Sequence, residues 1–124
     1  MEKIKILVIE DDQTQAMMYE LAFTTAGYLV DVAYTGKQGI TKAQEFKPDL
    51  IFLDMLLGDM KGQEILVALN SNPLTKDIKK VALSNLNKKE IADECYKLGV
   101  LDFLVKIQFI PKEIIEKIPG YLQK

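Results

Sequence analysis

The sequence contains no histidine. Its absence removes Ser-His-Asp and Cys-His catalysis, His-ligated zinc, and phosphohistidine chemistry on this chain itself. Any metal or phosphate must therefore be handled by oxygen ligands. There is one cysteine, Cys95, so no internal disulfide forms, which suits a reducing compartment. No apolar run approaches the length of a membrane span. The N-terminus lacks the order of a signal peptide, since Lys3 and Lys5 alternate with apolar residues as in a strand. Neither sign of charge dominates: 16 basic against 18 acidic residues leave a formal net charge of −2. No general attraction to nucleic acid or to an anionic membrane follows. These absences predict a soluble, cytoplasmic protein with no direct nucleic-acid or membrane contact.

What is present is a regular alternation. At 124 residues the chain is expected to form one domain, and 48% apolar residues supply a core without disulfides or metals. Apolar segments at Ile4–Ile9, Leu29–Tyr34, Leu50–Leu53, Lys79–Leu83 and Leu101–Val105 read as strands. Between and after them, three- and four-residue spacing predicts helices over 13–26, 36–46, from Gly62 to the break at Asn70-Ser71-Asn72-Pro73, from Asn87 through Leu98, and from Pro111 to the Pro119-Gly120 pair. Asp12 and Asn87 are the expected N-caps. Met18, Tyr19, Ala22, Phe23 and Ala26 are the expected inner stripe of the first helix. Five strands alternating with five helices over short connections predict a parallel sheet covered on both faces. There is no internal repeat, low-complexity segment or linker.

The polar residues that break the pattern share one feature. Glu10 and Asp11 follow the first strand, Asp54 the third, Ser84 ends the fourth, and Lys106 follows the fifth. Parallel strands share a carboxyl edge, so all five meet at one side of the sheet, where open α/β sheets bind ligands. Pro48-Asp49-Leu50-Ile51-Phe52-Leu53-Asp54-Met55 is the sharpest case, a wholly apolar strand closed by a carboxylate. In a flavodoxin-like order, 2-1-3-4-5, the first and third strands are neighbours about 4.8 Å apart. Asp11 and Asp54 then converge on one small ion. Two like charges about 4 Å apart cost roughly 4 kcal/mol at an effective dielectric near 20. Lys106 offsets one charge of the three acids, and a divalent cation offsets the rest. Oxygen-only ligands at an open cleft favour Mg2+ or Mn2+. Such a site suits in-line attack by Asp54 on phosphorus, with Asp11 as main metal ligand, Glu10 as a second, and Lys106 and Ser84 toward the phosphoryl group. Each residue alone has an ordinary alternative: helix N-terminal acids, a turn serine, a solvated lysine. Their coincidence at one edge is what carries the reading.

On the motifs Ile-Leu-Val-Ile-Glu-Asp-Asp at 6–12, Pro-Asp-Leu-Ile-Phe-Leu-Asp at 48–54, Val-Ala-Leu-Ser at 81–84 and Asp-Phe-Leu-Val-Lys at 102–106, the chain resembles the receiver domains of two-component response regulators. The resemblance covers essentially all of residues 1–124 and implies a single receiver domain with no output domain attached. It implies Asp54 as phosphoacceptor, Glu10 and Asp11 as the acidic pair, and a backbone carbonyl of Leu56 as a further Mg2+ ligand. It implies Ser84 as the hydroxyl switch residue, Lys106 as the lysine that meets the phosphoryl group, and Phe103 as the aromatic switch coupled to Ser84. The implied partners are a sensor histidine kinase or phosphotransfer protein, and a downstream protein bound through the fourth helix, fifth strand and fifth helix. Such a chain is not an enzyme beyond catalysing its own phosphorylation and dephosphorylation. Met17 and Leu21, apolar and outward on the first helix, fit part of a kinase docking surface.

Several positions depart from the family pattern. Ile107 stands where proline often follows the lysine, which bears on the placement of Lys106. Asn85 occupies a place usually held by a small residue and is expected to crowd phosphoryl access. The loop Leu57-Gly58-Asp59-Met60-Lys61-Gly62 replaces the common Met-Pro-x-Met-Asp-Gly. Leu56 and Leu86 lie at positions that influence phosphoryl hydrolysis in the family, and slow autodephosphorylation is expected. The alternative is a pseudo-receiver binding module that signals without phosphorylation, against which the complete set Glu10, Asp11, Asp54, Ser84 and Lys106 argues. A phosphatase of the haloacid dehalogenase type lacks its Asp-x-Asp here, because Asp54-Met55-Leu56 has no second acid. A flavodoxin is disfavoured by the acidic first loop.

Overall fold

The computed structural model describes residues 2–124. It contains β1 (Lys5–Ile9), α1 (Gln13–Thr25), β2 (Leu29–Ala33), α2 (Gly36–Phe46), β3 (Leu50–Leu53), α3 (Gly62–Asn70), β4 (Lys79–Ser84), α4 (Lys89–Lys97), β5 (Phe103–Val105), a 3-10 turn at Lys106–Gln108, and α5 (Pro111–Leu122). All strand pairs are parallel, in the order β2-β1-β3-β4-β5. The flavodoxin-like doubly wound sheet expected from the sequence is therefore the observed one.

Alternation along the strands builds two cores. In β1, Ile6 and Val8 face α1 and α5, where Tyr19, Phe23, Ile114 and Ile118 pack with Phe52 and Leu83. Leu7 and Ile9 face the other way, toward Ala43 of α2, Ile65, Leu66 and Leu69 of α3, and Cys95 of α4. Each such aliphatic or aromatic side chain contributes roughly 1.5–3 kcal/mol when fully removed from water. β3 is buried along its whole length, as its uninterrupted apolar run requires. The chain then has to place a charge at the strand's end.

Local rules yielded in four places. Asp12 caps α1 as expected, its carboxylate accepting from Gln15 N at 2.9 Å. Asn87 caps nothing, because α4 starts one residue later, after Lys88, with no side-chain cap bond. Met18 and Ala26 are exposed; the inner face of α1 is Ala16, Tyr19 and Phe23. Pro119-Gly120 does not end α5, which continues to Leu122. A proline there forfeits one backbone hydrogen bond, but the last turn is held from outside. Tyr121 is buried and its hydroxyl donates to Asp102 Oδ2 at 2.6 Å. β5 is also shorter than its apolar pattern, starting at Phe103. No helix among the described residues is long and apolar enough to cross a membrane.

Candidate functional site

The register of the strands sets the site. Ile9 of β1 pairs with Leu53 of β3, so Glu10 and Asp54 leave the sheet side by side. Their N–H groups remain tied to it: Asp54 N donates to Ile9 O at 3.0 Å and Glu10 N to Ala33 O at 2.9 Å. Carboxylate oxygens of Glu10, Asp11 and Asp54 all lie within 4.8 Å of one another. Glu10 and Asp54 are buried, 2% and 7% exposed, whereas Asp11 faces solvent. Asp11 is thus the open side of the cluster.

Lys106 enters from the 3-10 turn after β5. Its ammonium pairs with Glu10 Oε1 and with Asp54 Oδ2 at 2.9 Å, and donates to Gln15 Oε1 at 2.8 Å. An ammonium has three N–H donors, and all three have acceptors here. Burial, the largest influence, pushes the Glu10 carboxyl up to about 7, with Asp54 adding to the rise and the Lys106 hydrogen bond opposing it. Burial also works against the Lys106 charge, but the two carboxylates outweigh it and its pKa rises. The second oxygen of each acid is held by backbone: Asp12 N donates to Glu10 Oε2 at 3.2 Å, and Leu56 N to Asp54 Oδ1 at 3.0 Å.

A small divalent cation fits this donor set. The three carboxylates are hard oxygen ligands packed closely enough to repel one another, with one lysine as internal countercharge, and the group opens to solvent through Asp11.

The other expected side chains do not join this hydrogen-bonded group; only the backbone N–H of Leu56 does, on Asp54 Oδ1. Ser84 is fully buried at the end of β4, its Oγ accepting from Leu86 N at 3.2 Å. Phe103 is half-buried against the core on the α2–α3–α4 side. Leu56 is 55% exposed and forms an isolated antiparallel bridge with Lys61. Asn85 does not spend its side-chain oxygen on the pocket: Oδ1 accepts from Ile107 N at 3.0 Å. Two of the departures from the family pattern are thus bonded to each other, and only a non-proline residue at 107 has the N–H that Asn85 uses. Two polar partners escaped the sequence reading, Gln15 on Lys106 and Asp59, which bonds the start of α2. The Asp12-x-x-Gln15 spacing of a capping box was the one signal that pointed toward Gln15.

A family model of the response regulator receiver domain matches residues 6–119. The chain belongs to the response regulator receiver family. It is 36% identical over 120 residues to the response regulator ArlR of Staphylococcus saprophyticus, and 34% identical to that of Staphylococcus aureus strain Mu50. Each alignment covers 97% of this chain and 53% of the relative, so the chain spans about half the length of the curated relatives it matches. Among solved structures, the chemotaxis response regulator CheY4 of Vibrio cholerae superimposes with a TM-score of 0.88 at 25% identity, covering 97% of this chain and 99% of that one. A putative response regulator from Chloroflexus aurantiacus J-10-fl gives 0.89 at 27% identity, covering 99% and 100%. As a receiver, the chain works in a two-component system, and the carboxylate cluster lies at the carboxyl edge of its sheet.

Proposed function

We propose that this receiver accepts a phosphoryl group on Asp54 from a phosphohistidine of a sensor kinase or phosphotransfer protein, and then changes the surface it offers to a downstream protein. The observation that supports the reading is the cluster of Glu10, Asp11 and Asp54 closed by the Lys106 ammonium at one sheet edge. Glu10, Asp11, Asp54 and the Leu56 carbonyl would hold Mg2+ or Mn2+. When bound, the ion supplies charge neutralisation for the phosphoryl oxygens. An Asp54 carboxylate oxygen attacks phosphorus in line; the P–O bond forms as the P–N bond to the donor imidazole breaks, and the imidazole leaves with a solvent proton. Lys106, already on Asp54, turns to a phosphoryl oxygen, and the Ser84 hydroxyl donates to another. The aspartyl phosphate brings roughly −1.5 to −2 charge. The shift of Ser84 opens space for Phe103 to turn inward, and α4, β5 and α5 carry the change outward.

Docking on α1 fits the same reading. Met17, Met18 and Leu21 are 62%, 43% and 70% exposed and, with Thr14, Glu20 and Thr24, line an open groove of about 610 Å³. That groove lies on the helix whose first turn brings Gln15 to Lys106, so a kinase or phosphotransfer protein docked there delivers its histidine close to Asp54. Residues 2–124 then act as one cytoplasmic receiver unit that turns over nothing beyond its own phosphorylation and dephosphorylation.

Incubation with Mg2+ and acetyl phosphate, followed by intact mass, tests the proposal. One phosphoryl adduct is expected in the wild type, and none with chelator or in Asp54→Ala. An adduct that survives Asp54→Ala, or none in the wild type, overturns it. A second expectation concerns lifetime. Leu56 and Leu86 carry no atom that can orient an attacking water, so hydrolysis is slow. Leu56→Asn is expected to shorten the aspartyl-phosphate lifetime several-fold in a decay assay. Unchanged decay removes Leu56 from the account.

A further inference from the structure

The start of α2 has four backbone N–H groups with no acceptor inside the helix, as every helix does. Thr35 satisfies two of them, its Oγ accepting from Gln38 N at 3.0 Å and its carbonyl from Gly39 N at 3.0 Å. The other two donate to a residue outside the helix. Gly36 N reaches Asp59 Oδ1 at 2.7 Å, and Lys37 N reaches Asp59 Oδ2 at 3.1 Å. Asp59 is at the tip of the loop between β3 and α3, the loop that follows the phosphoacceptor. A carboxylate shared by two N-terminal N–H groups is charge-assisted and aligned with the helix dipole. The Gly36 N–H, foremost, and then the Lys37 N–H hold its carboxyl below the usual range.

Independent packing features close the loop around the same point. Leu56 and Lys61 bridge its two sides, and Gly62 N donates to Met55 O at 3.3 Å. A Cβ at position 36 would lie 2.9 Å from both Met60 Sδ and Ile65 Cδ1, so the glycine lets α2 sit against both side chains without displacing them. On the opposite side, a Cβ on Gly58 would lie 3.9 Å from Asp11 Oδ2. The loop lies between the carboxylate cluster and the start of α2.

We propose that Asp59 is a positioning residue for the cation site: by pinning the loop tip to α2 it fixes Leu56, whose carbonyl completes the ligand set in the function proposed above, on which this inference rests. Without the clamp, the loop must be ordered at the moment of binding, and that ordering appears as weaker affinity. The coupling is reciprocal, so bound Mg2+ tightens the clamp on α2, a helix that supplies no ligand.

The experiment compares Asp59→Ala with Thr35→Ala. Both remove a cap from the start of α2, but only Asp59 belongs to the loop. Calorimetric titration with Mg2+ is expected to show a loss of affinity of about three- to ten-fold in Asp59→Ala. Thr35→Ala is expected to melt at a lower temperature and keep wild-type affinity. In amide spectra of the same samples, Gly36 and Lys37 are expected to shift on Mg2+ addition in the wild type and in Thr35→Ala, and to stay in place in Asp59→Ala. Wild-type affinity in Asp59→Ala overturns the proposal. So does an equal loss in both variants, which makes Asp59 a structural cap alone. A wild type that binds no Mg2+ overturns the functional reading itself, a result distinct from either.

Discussion

Replacing Lys106 with methionine is expected to cost about 3 kcal/mol of stability at pH 8 and much less at pH 5. The Lys106 side chain is 8% exposed and stands between two carboxylates that are themselves buried. Removing one partner of such a group leaves charge in a poorly solvated place, which costs more than the pair contributed. The pH dependence comes from Glu10, whose pKa burial lifts from 4.5 to about 7. Because the folded value exceeds the unfolded one, the folded protein keeps a proton between those values that the unfolded chain has released. The contribution of Glu10 to stability is therefore full below pH 4.5 and is lost as pH rises through 7. Lys106 also has a raised folded pKa, so its contribution is present below 10.5 and lost only above that. At pH 5 the variant carries a neutral Glu10 that needs no countercharge. At pH 8 it must either bury an ionised Glu10 beside Asp54 or hold Glu10 protonated far above its unfolded pKa, and both cost stability. Urea midpoints of both proteins at the two pH values check this, and Mg2+ is expected to restore part of the deficit at pH 8. Equal losses at both pH values would mean that the Lys106 ammonium acts through Asp54 and Gln15 rather than through Glu10. Phosphorylation by acetyl phosphate is expected to fall sharply at both, since the methionine cannot meet a phosphoryl oxygen.

Residues such as Lys106, Glu10 and Asp54 were legible in the sequence because each interrupts an apolar strand pattern with a charge, and parallel strands place such interruptions together. The strand order was legible through the motifs, and the structure carries it unchanged. What lay beyond the sequence shares another property. Gln15 and Asn85 each act through one hydrogen bond, to groups 91 and 22 positions away, and Asp59 through two, to groups 23 and 22 positions away, and no periodicity marks a polar side chain that reaches across the fold. Asn85 shows the consequence. Read by position, it obstructs the pocket; placed in the fold, its oxygen is engaged by Ile107 N. Pro119 shows the reverse case, a strong local stop overridden because Tyr121, buried and bonded to Asp102, holds the last turn in place. Local signals decided where elements lie, and tertiary anchors decided where they end.

Gly62→Ala is expected to destabilise the fold by about 3 kcal/mol and to weaken Mg2+ binding in the same variant. The glycine opens α3 at the end of the loop that follows Asp54, with no unusual backbone conformation to explain it. The reason is space. A Cβ at this position would press on Met55 Sδ, lie 2.5 Å from Met55 Cε, and lie 2.8 Å from the Met55 α-carbon. The first two clashes are with the end of a flexible side chain, and methionine adapts readily. The third is with backbone, and that backbone belongs to the residue after Asp54. Relief requires α3 to move away or Asp54 to shift, and the second choice disturbs the carboxylate cluster. The double variant Met55→Ala/Gly62→Ala separates the two contributions. Met55 is 2% exposed and packs its sulfur 3.7 Å from Cys95 Sγ, so Met55→Ala alone is expected to cost about 2–5 kcal/mol. The double variant removes the side-chain clashes but keeps the one with the backbone, so its loss should be smaller than the sum of the singles without returning to that of Met55→Ala. Denaturation midpoints give the coupling, and calorimetry gives the metal affinity. A double variant no less stable than Met55→Ala, with Mg2+ affinity intact, would show that the flexible sulfur end of Met55 alone demands glycine. A residual loss of both would place the constraint in the backbone beside Asp54, where a methyl group displaces the carboxylate next to it.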